Sequence, residues 1–139
     1  MKVFRNNKGT TTVEFALIAP LFFVLLFGIM EFGLLLYYKA MITNGSREGA
    51  RAGIVFRATS TGTYNPITVG EITSAVNGYF GATPPTGLNV SVPSGICTGT
   101  GFPLTVHVTY SYTFLILDRF ITSLASLPPL SAQSIMRCE

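Results

Sequence analysis

Residues 13–38 read Val-Glu-Phe-Ala-Leu-Ile-Ala-Pro-Leu-Phe-Phe-Val-Leu-Leu-Phe-Gly-Ile-Met-Glu-Phe-Gly-Leu-Leu-Leu-Tyr-Tyr. Phe15 to Met30 carries no charge, and Glu31 is the one charge between Glu14 and Lys39. As a helix, the 24 residues from Phe15 to Tyr38 extend about 36 Å, enough to cross a hydrocarbon core of about 30 Å. The run therefore predicts a membrane-spanning helix. It exceeds the roughly 7 to 15 apolar residues of a secretory signal and no small-x-small cleavage site follows it closely, so it is expected to stay attached. Pro20 lacks an amide donor and is expected to kink the span, freeing the carbonyl of Ala16.

Outward from the span, charge sets the topology. Lys2, Arg5 and Lys8 precede it and only Lys39 follows directly. This bias predicts a cytoplasmic N-terminus and an exported remainder. The formal net charge is +3, and the three basic residues of the leader account for all of it. Beyond Gly9, six basic residues face six acidic ones. Basicity thus belongs to the leader and argues for contact with anionic lipid, against nucleic-acid binding.

Length allows one small domain behind the span, and no repeat recurs. With no proline between Met41 and Phe56, the helix is expected to run from Thr10 to about Phe56, with Asn44-Gly45-Ser46 as its weak point. Gly45, Gly49 and Gly53 recur every fourth residue beside Ala50 and Ala52. On a helix they form a smooth strip, suited to a partner backbone or to the chain's own globular part. Arg47 with Arg51, and Glu48 with Arg51, fall at helical contact spacing, as a solvated face or an interface ion-pair set.

Thr59–Pro66 reads as a loop. Thr68-Val69-Gly70-Glu71 has capping-box spacing, Ile67 and Ile72 suit a hydrophobic staple, and Gly81 is placed to end the short helix. Leu88–Val92 and Leu104–Phe114 alternate like strands, and Ser131–Cys138 reads as a third. The expected fold is α+β: a cytoplasmic basic leader (1–9), a spanning and extended helix (10–57), and an exported domain (58–139) with a short helix and an antiparallel sheet of about three strands. Two cysteines in an exported chain suggest a Cys97–Cys138 disulfide.

No catalytic constellation is legible. His107 and Asp118 are the single histidine and aspartate, and no Gly-x-Ser-x-Gly elbow, phosphate-cradling loop or clustered metal-ligand set accompanies them. The expectation is a non-enzyme without cofactor or metal.

The segment Gly9-Thr10-Thr11-Thr12-Val13-Glu14-Phe15 resembles a type IV prepilin processing site, in which the cut follows glycine and the mature chain has glutamate fifth and an aromatic sixth. Thr10 stands where many major pilins have phenylalanine. Val13-Glu14-Phe15-Ala16-Leu17-Ile18-Ala19-Pro20, Gly28-Ile29-Met30-Glu31-Phe32-Gly33 and Ser46-Arg47-Glu48-Gly49-Ala50-Arg51 resemble, in order, the N-terminal signatures of TadE-like pseudopilins. Ser131–Arg137 resembles their closing strand. The resemblance implies a minor pilin-like component of the tight-adherence (Flp) pilus system, in the bacterial inner membrane, cut by a prepilin peptidase. Its implied partners are other pilins or pseudopilins and the membrane assembly platform, in a homo- or hetero-oligomer.

Placement in the filament, at its base or in the platform fits the resemblance equally. Glu14 is expected to meet the new amino group of Thr10. Glu31 is expected near the outer interface, within reach of Lys39 or facing a partner helix. A single-pass, uncleaved membrane anchor carrying an extracytoplasmic binding domain is the alternative function.

Overall fold

The computed structural model describes residues 8–58, 64–81, 83–120 and 127–139. It has two compact units. One holds the chain up to Leu34 together with the stretch that begins at Phe114, and the other holds Leu35–Thr113 with Leu127–Glu139. Helix α1, Lys8–Gly53, runs unbroken through Pro20 and through Asn44-Gly45-Ser46. Packing overrides weak propensity at that second point. Gly45 faces the Phe80 ring, with only 3.1 Å from its would-be Cβ to the nearest ring carbon. Buried Ser46 donates its hydroxyl to the Thr43 carbonyl at 2.8 Å.

In the first unit, α1 exposes Phe15, Leu17, Ile18, Leu21, Leu25 and Ile29 among many apolar side chains. The helix is long and apolar enough to cross a membrane. The second described segment of this unit contains α3, Leu117–Phe120.

The second unit is built on the last turns of α1. After Gly53 the chain turns and enters β1, Phe56–Ala58, which pairs antiparallel with β2, Tyr64–Pro66. Two expectations change here. The helix stops at Gly53 rather than near Phe56, so a boundary after residue 57 would cut β1. The expected loop over Thr59–Pro66 ends in a strand at Tyr64, and residues 59–63 lie outside the described residues. The hairpin forms because Phe56 to Ala58 gains partners across the ladder that a further helical turn would forgo.

Helix α2, Val69–Tyr79, begins with the full capping box: Thr68 Oγ1 accepts from the Glu71 amide at 3.3 Å, and Glu71 Oε2 accepts from the Thr68 amide at 2.9 Å. Phe80 caps its end and Gly81 follows at φ +90°, a conformation that glycine adopts without a Cβ clash. Its Ile72 and Val76 are fully buried, and Ile67 is buried just ahead of the cap.

Strands β3 (Leu88–Ser91), β4 (Pro103–Tyr110) and β5 (Leu130–Arg137) form one antiparallel sheet in the order β3-β4-β5. Val108 pairs with Val90 on one side and Ala132 on the other. Leu104, Val106, Val108 and Tyr110 bury one face of β4, as its alternation predicts. The strand ends at Tyr110 rather than Phe114, where β3, its neighbour on one side, begins at Leu88. Ser111 continues that edge by donating its amide to the Gly87 carbonyl. Of the expected apolar stretch Leu115–Leu127, residues 121–126 lie outside the described residues.

The core joins Ile42 and Ala50 of α1 to Ile72, Val76 and the buried face of β4. Each large apolar side chain there contributes about 1.5 to 3 kcal/mol. Cys97 and Cys138 are bonded and buried beside it. Tyr38 stacks near Tyr110, with ring centroids 4.9 Å apart.

Gly49→Ala is expected to destabilise this unit by about 1 to 3 kcal/mol although alanine is the better helix former, because the new methyl overpacks the core. Its Cβ would lie 2.5 Å from a Val76 methyl. Gly78→Ala, which meets nothing within 4 Å on α2, should stabilise by about 0.5 to 1 kcal/mol. Denaturant titration of both variants in detergent makes the comparison. The same titration on the Cys97→Ser, Cys138→Ser double variant should show a loss of about 2 to 4 kcal/mol, since the bond closes a separation of 41 residues.

Burial raises the Tyr110 phenol above its ordinary pKa, and Tyr38 adds to the shift through charge and a hydrogen bond. A raised folded-state value gives stability that is complete below the unfolded pKa of about 10 and lost as pH climbs through the folded one. Melting curves above pH 10 should therefore fall more steeply for the native chain than for Tyr110→Phe.

Candidate functional site

Gly9 and Thr10 lie in α1, both exposed. Nothing lies within 4 Å of a Cβ added at Gly9. Glu14 is exposed one turn further on, and Phe15 beside it is 71% exposed. Among the described residues Glu14 makes no ion pair. A carboxyl at this position is one helical turn from the Thr10 backbone nitrogen, within contact spacing.

Glu31 has the opposite surroundings. On a helix stretch whose neighbours face outward, it is 2% exposed. Its Oε1 accepts from the Ile116 amide, and its two oxygens accept from the Leu117 amide at 3.4 and 3.3 Å. A charged residue at the middle of a spanning helix costs about 2.5 to 3.5 kcal/mol on insertion scales, and amide donors offset that cost. The expected approach of Lys39 to Glu31 gives way to a different arrangement. Lys39 donates its ammonium to the Ser131 carbonyl on β5, and backbone donors from a stretch 85 residues away take the carboxyl.

The small-residue strip is occupied by this chain. Gly45 faces Phe80 and Val76, Gly49 faces Val76, Val106 and Ile72, and Gly53 faces Leu104 and Ile72. It brings α1 onto α2 and β4 of the second unit.

Arg51 grips Glu48 on the solvent side with two bonds, at 2.7 and 3.1 Å. The hydrogen bond from Arg51, with its charge in support and burial slightly opposing, lowers the Glu48 pKa. The pair is solvated and screened, so it adds little to stability. Arg47 is exposed one turn before Arg51, which leaves a ridge of basic character on α1.

His107 lies half-buried on β4, on the side of the strand opposite its core face, and Asp118 lies in α3. Among the described residues no cluster of three or more histidine, cysteine or acidic groups is placed to hold a metal. The sequence did not point to Ile116 and Leu117. Their contribution is main-chain amides, which carry no residue-type signal; the one hint was a membrane acid in need of donors.

No curated protein matches the chain in the comparison with such proteins, and no solved structure matches it either. Residues 9–51 match the family model described as TadE-like protein, and over that stretch, which holds the processing-like segment, Glu31 and the Arg47 to Arg51 motif, the chain is similar to that family.

Proposed function

We propose that this chain is a pilin-like subunit, a pseudopilin, that serves assembly of a tight-adherence (Flp-type) pilus. It sits in the bacterial cytoplasmic membrane with its N-terminus inside and its Cys97–Cys138 unit outside. The single observation that carries this reading is a coincidence of place. The TadE-like match begins at Gly9, on a helix able to cross a membrane, with Gly9 and Thr10 exposed and Glu14 and Phe15 exposed one turn on.

A prepilin peptidase cuts the Gly9–Thr10 bond in this account. The bond lies where α1 is exposed at Gly9 and Thr10, so cutting it requires only local unwinding there. Cleavage removes the basic leader and creates an ammonium on Thr10. Glu14, an acid at the edge of the bilayer, then has a cation to pair with, in its own subunit or in a neighbour packed alongside. Processing and assembly are thereby coupled through one carboxyl. The chain's part is structural rather than catalytic, its partners being the peptidase, other pilins or pseudopilins and the assembly platform.

Intact-mass and N-terminal analysis of the protein extracted from its native membrane is expected to give Thr10 as the first residue, and Gly9→Ala is expected to retain the leader. Met1 as the first residue of the native protein would instead identify a permanent anchor. Glu14→Gln should still be cut while losing pilus assembly and co-purification with pilin subunits; unchanged assembly would dismiss the ion pair.

A further inference from the structure

We infer that residues 114–117 are a membrane-immersed segment, dipping into the lipid alongside α1 and tethered there by Glu31. The occupant of its exposed apolar side is the acyl region of the bilayer. The inference needs only that α1 spans the membrane, and it is independent of pilus assembly.

Three observations in the first unit carry it. Glu31 is a spanning-helix residue, and its carboxyl receives the amides of Ile116 and Leu117. It stands between four and five residues past the midpoint of 15–38, about 7 Å along the axis, whereas half the hydrocarbon core is about 15 Å. Any group bonded to it is therefore within the core. Leu117 moreover lines an apolar recess of about 340 Å³ with Pro20, Phe23, Val24 and Phe27, all on the stretch of α1 that precedes Glu31. Finally, Leu115 is 70% exposed, an apolar side chain with no protein cover at that level.

The arrangement is reciprocal. Non-helical backbone inside a membrane is tolerated only where its amides find acceptors, and an intramembrane acid only where it finds donors. Glu31 and the Ile116-Leu117 amides meet both requirements at once. Asp118 and Arg119 follow immediately and oppose immersion. Arg119 is exposed, and its long side chain can extend toward headgroups, while Asp118 is half-buried. Hydropathy alone thus does not hold the segment, and the Glu31 bonds decide its position.

The test uses the full chain in phospholipid vesicles, with a nitroxide on Leu115→Cys and the Cys97–Cys138 bond verified by mass. Collision of the label with oxygen, which concentrates in lipid, is compared with collision by a water-soluble nickel chelate. Ile29→Cys on the span supplies the lipid standard and Val69→Cys on α2 the aqueous one, these positions being 67% and 43% exposed. The oxygen-to-nickel ratio at Leu115 is expected to match Ile29, to fall to the Val69 value with Glu31→Ala, and to be kept by Glu31→Gln, which retains an acceptor oxygen. An aqueous ratio at Leu115 with Glu31 intact overturns the inference, as does a lipid ratio that survives Glu31→Ala. An aqueous ratio at Ile29 would remove the spanning premise itself, and the inference with it.

Discussion

The close seat of α1 on α2 and β4 depends on the missing Cβ atoms of Gly49 and Gly53, and the second unit depends on that seat. A methyl at Gly53 would lie 2.5 Å from Leu104 and 2.8 Å from Ile72, two of the largest fully buried side chains. The smooth strip lets Val76 and Val106 approach the helix backbone and fill the layer between helix and sheet. Their burial in turn fixes which face of β4 points inward, since a slip of one residue would expose Leu104, Val106 and Val108 together. The disulfide then secures the end of β5 to the loop ahead of β4 and lies at the foot of the helix, where Cys97 Sγ is 3.4 Å from the Gly53 carbonyl.

The elements legible in the sequence are those whose determinants are local. The α2 cap is written in Thr68 and Glu71, three positions apart, and β4 in an alternation that needs no knowledge of its neighbours. The β1-β2 hairpin was not legible, because three-residue strands offer no period and Asn65-Pro66 reads as a turn. The glycine strip was legible as a contact surface but not as to its partner. Spacing of four places small residues on one face whether the surface that meets them belongs to the same chain or to another. Glu31 shows the same limit more sharply. Helical spacing offered Lys39, two turns on, but that ammonium is held by the Ser131 carbonyl, and the donors come from Ile116 and Leu117. No local rule reaches across 85 residues.

The two acids of the spanning region face one physical requirement and meet it differently. Glu31 draws on backbone amides of its own chain, which any residues at 116 and 117 except proline would supply. Its environment is therefore complete in a single molecule. Glu14 lies exposed on the helix, without an ion pair among the described residues. On the proposed cut after Gly9, the Thr10 nitrogen, an amide in the intact chain, becomes a cation one helical turn from it. An acid satisfied within the chain stabilises the subunit; in the proposed account, an acid whose cation is created by processing favours only the processed, assembled form. On the proposed reading, the difference in surroundings between Glu31 and Glu14 divides holding one molecule together from joining it to others.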